Sequence, residues 1–534
     1  MASNGCANYV FVEMKLKGKQ ASVSRGNQIS HALKNHHRAA RRERTKLYLA
    51  ARQSLLARNA HAKRYQALSD SSSPPEESSS SERSSPEQKE RQVSEVEILN
   101  PKALGMVLGQ GRLDPFNIYP HDTISLYVHE ILDHAINHTW PGVCPFGYAA
   151  SHPVRRAWLG CAMDFPVAFY SFVFAAGLHH AYLHGWSRIS KTAYNLLFSY
   201  KTKAISLVNE ALQKVDVEIS DALLVSILIL AAHGPAATSC DKEPPEYPVS
   251  PLANAQDLDF YGSLRFDELH MGALRILVAR RGGLKNIQLY GIADMIALGE
   301  VYGASSTLTK PEFREWFACP TPLLLLPDCQ FSSREIFPSL RNRTVFKQLL
   351  SILCAMSTIC KALTHLRQGG TNPAFFTNII RTRNRVQHRL LSLPHQESSS
   401  DLDHGIYETC RLAAMIFSDM VIFPLPPATE IRPRLAGMLR KTLESLPVHL
   451  ERASHTEILL WAAMLGAIAA AKTEKHRTWY HLAVKQYAVL LGAGRWTEMQ
   501  TVLKRHLWME EFCDPPAKAV WEEAIGLDPP VHAA

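Results

Sequence analysis

The sequence predicts an all-α protein, a large multi-helix domain preceded by a basic helix and a disordered Ser-rich linker. Three observations carry that prediction. Beyond about Glu97 apolar residues recur at helical spacing almost everywhere. No stretch alternates apolar and polar residues over the lengths a sheet needs. Proline and glycine clusters, such as Pro244–Pro245, Gly369–Gly370 and Pro424 to Pro427, cut the pattern into pieces of helix length.

Taken from the N-terminus, residues 9–15 (YVFVEMK) form a short extended piece. From Ile29 to about Gln66 the chain lacks Pro and Gly and is rich in Ala, Leu, Arg and Lys, so a long exposed helix is predicted. Its leucines make no continuous heptad stripe, so it is not a self-sufficient coiled coil. Residues 69–85 carry ten serines and the pair Pro74–Pro75 with almost nothing apolar. Such a segment buries too little surface to offset its ordering entropy and reads as a linker. Ser73 and Ser85 each precede a proline and are candidate phosphorylation sites or plain spacer residues. The expected division is 1–66 basic, 67–98 linker and 99–534 helical.

Within the helical part the predicted elements fall at about 120–138, 166–184, 192–214, 221–233, 264–281, 288–302, 343–366, 375–392, 405–423, 430–445, 456–472, 476–491 and 494–508. The helix near residue 270 is the best specified. Phe266, Leu269, Ala273, Leu274, Leu277 and Val278 share one face, and Ser263 or Asp267 can cap its start. Arg280 and Arg281 suit the negative end of the helix dipole, and Gly282 follows where a left-handed backbone ends the helix. Neither Arg280 nor Arg281, nor His270, is assigned a binding role. No internal repeat of fixed period occurs, which argues against a helical solenoid.

Composition bounds the function class. At 534 residues the chain can bury a large core, and 46% hydrophobic with 20% charged residues is ordinary for a globular protein. Charge is unevenly placed. Residues 1–66 hold 14 Lys or Arg against Glu13 and Glu43, a local +12, which leaves −3 for the rest of a chain whose total is +9. A phosphate-bearing partner is therefore sought at the N-terminus. The ten cysteines are scattered from Cys6 to Cys513 with no metal-finger spacing and read as reduced core residues. Two apolar runs, Ala157 to Leu178 and Ala222 to Ala232, are rejected as membrane spans. Asp164 and Pro166 interrupt the first, and the second falls well short of the roughly 20 residues a bilayer requires.

Candidate chemistry is sparse. HEILDH, His129 to His134, separates its histidines by five positions, about 140° around a helix, whereas a two-His metal site needs four. His134 with His138, and His180 with His184, do have that spacing, but no third ligand stands at a clear interval. GQGR, Gly109 to Arg112, lacks the preceding strand and the third glycine of a dinucleotide loop. No nucleophile elbow or phosphate loop is present. No catalytic residue, metal or cofactor is expected, and the chain is read as a non-enzyme.

The charged candidates are Arg38, Arg41, Arg42, Arg44 and Lys46, followed by Arg52, Arg58, Lys63 and Arg64. On a helix they present cations on several faces, as nuclear import or contact with a DNA backbone requires; a plain solvated helix is the third reading. NHHRAARRER, Asn35 to Arg44, is similar in outline to a basic-leucine-zipper contact region, with Arg38 where that pattern has its first alanine and no leucine heptads following.

Seven blocks stand in order: GQGRLDPFNIYP at 109–120, ISDALLVSILILAAHG at 219–234, HMGALRILVARRGGL at 270–284, VQHRLLSLP at 386–394, YETCRLAAMIFSD at 407–419, ILLWAAMLGAIAA at 458–470 and RWTEMQTVLKRHLWMEEFCD at 495–514. Together they resemble the fungal-specific transcription factor domain family. The N-terminal YVFVEMK with its His- and Arg-rich helix resembles members lacking the six-cysteine zinc cluster. That resemblance implies an all-α regulatory domain, residence in the nucleus and control of transcription, with DNA, protein partners or a second copy as partners and no membrane. The family's usual DNA reader, the six-cysteine cluster, is absent: Cys6 is the only cysteine before Cys144. DNA contact, if made, falls to the basic helix, and a non-DNA-binding adaptor that kept the helical scaffold is the alternative.

Overall fold

Why three of the helices are apolar on every side becomes clear from their position. The computed structural model describes residues 125–144, 152–213, 218–234, 247–317, 346–368, 373–395, 402–446, 455–470 and 474–526; among them every regular element is a helix and no strand occurs. α1 (Leu126–His134) runs through a π-helical turn (Ala135–Thr139) into the short α2 (Trp140–Val143). α3 (His152–Asp164), α4 (Pro166–His184), α5 (Lys191–Leu212) and α6 (Asp221–Ala232) follow, then α7 (Leu258–Tyr261), α8 (Glu268–Arg280) and α9 (Ile292–Thr307). The second half comprises α10 (Lys347–Arg367), α11 (Pro373–Leu391), α12 (Leu402–Phe417) with a π turn (Ser418–Ile422), α13 (Ile431–Glu444), α14 (Thr456–Ala469), α15 (Glu474–Leu490), α16 (Trp496–Leu503) and α17 (Glu510–Gly526).

α4, α6 and α14 are the apolar ones, and each is packed on several sides. α4 lies against α1, α3, α5 and α6; α6 also meets α8 and α9; α14 is enclosed by α12, α13, α15 and α17. α6 is buried from Ala222 to Ala232 without a break. Trp461 at the centre of α14 is fully buried, and its indole N–H donates to the Leu507 carbonyl at 2.9 Å. Gly466 on the same helix leaves room for the Tyr480 ring, whose hydroxyl donates to the Ala436 carbonyl at 2.7 Å. One hydrophobic core runs from Val128 to Trp521.

α10 is long and apolar enough to cross a bilayer by length and composition, the one such helix among the described residues. Its apolar side chains nevertheless form a stripe, Leu349, Ile352, Leu353, Met356, Ile359 and Leu363, buried in the protein core. The run Ala157 to Leu178 is divided between α3 and α4 at Phe165, and α6 spans 12 residues.

The predicted helices are present, with the single turns α2 and α7 and two longer helices in addition. α3 and α17 were not anticipated: Gly160 weakens the first pattern, and Pro515 and Pro516 lie inside the second. At α8 the cap is Asp267, whose Oδ1 accepts from the Leu269 and His270 amides at 3.0 and 3.1 Å. The buried face is Met271, Ala273, Leu274, Leu277 and Val278; Leu269 points outward at 76% exposure. It stands about 140° around the helix from Leu274, on the outward face it shares with Ile276. Gly282 and Gly283 have φ of +88° and +97°, and the Gly283 amide returns to the Val278 carbonyl at 2.8 Å, closing the helix end. Arg281 bridges to Asp221 at the start of α6 at 2.9 Å. Five of the six described cysteines are buried.

Candidate functional site

Inside the first half lies an apolar cavity of about 60 Å³ between α2, α4, α6 and α9. Six aromatic side chains wall it: Trp140, Trp158, Phe172, Tyr261, Phe266 and Tyr302. Phe172 stacks on Trp158 at 5.7 Å between ring centroids and meets Trp140 edge-on at 5.3 Å. Gly299 gives α9 a small surface toward Leu228 and Phe266. Two polar side chains belong to the lining, Thr139 and His233.

His233 ends α6. Its Nδ1 lies 2.8 Å from the Ile229 carbonyl, its own carbonyl accepts from Lys201 Nζ at 3.0 Å, and Nε2 is buried without a hydrogen-bond partner. Burial pulls its pKa down to about 4, so the ring is neutral at neutral pH.

Thr139 begins a buried polar series. Its hydroxyl lies 3.1 Å from His179 Nδ1, and His134 Nε2 approaches the same nitrogen at 3.0 Å. On the other side His179 Nε2 is 3.8 Å from Asp257 Oδ2. A hydroxyl, an imidazole and a carboxyl in sequence are the parts of a nucleophile–base pair with its orienting acid. Burial removes the charges that chemistry needs. It pulls His134 down to about 3 and His179 to about 4, and it pushes Asp257 up to about 8, helped by Asp259. Both members of the 3.8 Å pair are therefore neutral at pH 7, since burial outweighs the support that the Asp259 carboxylate gives a protonated His179.

The backbone that presents Asp257 is unusual. Gln256 and Asp257 are both left-handed, with φ of 58° and 50°, a conformation that costs a non-glycine residue about 1–3 kcal/mol. Gln256 is held from three sides. Its Nε2 donates to the Val143 carbonyl at 3.0 Å, its Oε1 accepts from Arg383 and Asn384 at 2.9 and 2.8 Å, and its carbonyl accepts from the Tyr302 hydroxyl at 2.9 Å. Gly142 makes room for Asp257, since a Cβ there would collide with the carboxyl oxygens.

The two histidine pairs seen in the sequence do converge. The His134 ring lies 5.1 Å from His138, 5.0 Å from His180 and 6.3 Å from His184, and His180 stacks on His184 at 4.1 Å. His184 Nδ1 is 2.9 Å from the His180 carbonyl, and His180 Nε2 stands 3.7 Å from Glu130. Among the described residues no group of three or more His, Cys, Asp or Glu is arranged to hold a metal ion. The rings stack on one another, and His134 directs Nε2 at His179.

Spacing pointed to His134, His138, His180 and His184 but not to His179, His233, Thr139 or Asp257. The adjacent pair His179–His180 in an otherwise apolar helix was the available signal. Arg38, Arg41, Arg42, Arg44 and Lys46, with the motif at 109–112, lie outside the described residues.

No family model matches the chain. Neither does a curated protein or a solved structure. The resemblance rests on its ordered blocks alone.

Proposed function

We propose that the chain is a fungal nuclear transcription regulator whose helical domain is the receiving part and whose basic N-terminal segment makes electrostatic contact with DNA. The observation that supports this reading most directly is where the resembling blocks lie. Residues 219–234 supply α6, 270–284 supply α8 with its glycine stop, 407–419 supply most of α12, and 458–470 supply the centre of α14. Blocks scattered over some 250 residues thus build one core. The charge division, +12 in residues 1–66 against −3 elsewhere, supports a phosphate-binding role for Arg38, Arg41, Arg42, Arg44 and Lys46. In this reading the chain is not an enzyme, and the neutral Thr139–His179–Asp257 series is structural.

The second reading, an adaptor that reaches chromatin through another factor, is favoured by one specific observation: Cys6 stands alone where the family carries six cysteines. A gel-shift salt series with the full chain separates the two. Replacing Arg41, Arg42 and Arg44 by Ala weakens binding across sequences and flattens the log–log salt slope by about 2 to 3, since each lost phosphate contact removes roughly 0.9. Absence of binding at low salt, or an unchanged slope in the triple variant, rejects direct DNA contact and leaves the adaptor.

A further inference from the structure

The cavity beside His233 has the chemistry of a small-molecule site. Its walls are aromatic and aliphatic, and an apolar cavity holds water only where polar groups offer it two to four hydrogen bonds. Of its two polar lining side chains, Thr139 already has its hydroxyl on His179. His233 is different. It is 3% exposed, and its Nδ1 faces the Ile229 carbonyl, which can only accept. The proton therefore sits on Nδ1, and Nε2 carries a lone pair. That lone pair is buried and meets no donor in the protein. A buried acceptor left unpaired is destabilising, and a ligand with a matching donor recovers that loss. Met295, unbranched and adaptable, shares the lining and lets the space adjust to its guest.

We propose that this cavity binds a small, largely apolar molecule carrying one hydroxyl, a short alcohol or a single-ring phenol, whose O–H donates to His233 Nε2 while its body packs among Trp140, Trp158 and Phe172. The proposal holds whether the chain is a regulator or an adaptor.

The test uses the full chain and defined probes: phenol against benzene, and 1-butanol against pentane. Binding is read by calorimetry and by fluorescence of the tryptophans, two of which line the cavity. The expected result is that at least one hydroxylated probe binds ten-fold or more tightly than its hydrocarbon counterpart. His233→Phe, which keeps the ring and removes the acceptor, abolishes that preference. Should His233→Phe fail to fold, the wild-type protein still decides through the ¹⁵N resonance of His233 Nε2, which moves with phenol and stays with benzene. Failure of both hydroxylated probes to bind, equal binding of hydrocarbon and hydroxylated partner, or a preference that survives in folded His233→Phe each overturns the proposal.

Discussion

Two buried polar groups sit on either side of one left-handed turn, and they solve the cost of burial in opposite ways. Gln256 faces Arg383, whose guanidinium is fully buried and makes five hydrogen bonds: to Asn384 Oδ1 from both Nε and Nη2, to the carbonyls of Leu252 and Ala255, and to Gln256 Oε1. It also lies over the Phe423 ring at 4.9 Å. Asp257, the next residue, faces His179 with a carboxyl oxygen that accepts no hydrogen bond. The first group keeps its charge because every donor on it finds an acceptor. The second gives up its charges because too few partners are present. Buried polarity is thus tolerated here either by complete satisfaction or by neutralisation.

Acidification should act most strongly, and on the neutralised side. His134, His179, His180 and His233 all have pKa values lowered by burial, to about 3 for the first and about 4 for the others, against 6.5 when unfolded. Between those values the unfolded chain binds more protons than the folded one, so stability is present above pH 6.5 and is lost as pH falls toward 4. Urea midpoints at pH 7, 6 and 5 should drop steadily. A flat profile would mean that these rings are solvated or charged in the folded protein.

Arg383→Ala attacks the satisfied side. It leaves Gln256, Asn384 and two carbonyls short of partners and opens a void, with an expected loss of about 3–5 kcal/mol in denaturant unfolding. Arg383→Lys keeps the charge but not the fork and should recover only part of that loss. Gly142→Ala sets a methyl against the Asp257 carboxyl, and an overpacked site of this kind costs about 1–3 kcal/mol. In an Asp257→Ala background the same change should cost clearly less, and equal costs in both backgrounds would show that the two residues do not touch.

Asp257→Asn tests the neutralised carboxyl through its pH dependence. With its pKa raised to about 8 from 3.8, Asp257 is protonated in the folded protein while the unfolded chain ionises, so it opposes stability increasingly from pH 4 to 8. The amide removes that slope. The stability of Asp257→Asn should therefore stay level between pH 6.5 and 8 while the wild type declines.

Much of this architecture could be read from residue order, and the reason is local. α4 begins at Pro166 and ends before Gly185 as proline and glycine dictate, and Asp267 and Gly282 bracket α8. Leu269 misled because it was grouped with Leu274 and Val278 although it stands about 140° and 180° from them around the helix, beside the exposed Ile276. α17 escaped because Pro515 and Pro516 read as a break although they lie near its start. The site was legible only in fragments. His134 and His138 share a helix face, as do His180 and His184, but His179 meets His134 across 45 positions, and Asp257 joins them from a turn that has no periodic signature. No pattern within one helix encodes such meetings. His233 looked like the last residue of an apolar helix, and only burial of its free nitrogen distinguishes it.

The brace at Arg383 has a temporal side as well. Asn384 and Gln256 are 128 positions apart, so the left-handed turn that aims Asp257 waits for a segment synthesised long after it. Helix pairs such as α4 with α5 close over short loops and need nothing later in the chain, whereas contacts of long separation form late. A nascent chain that ends between Tyr261 and Pro373 holds the residues of the turn without their support. The turn beside the cavity gains its brace only once α11 has emerged.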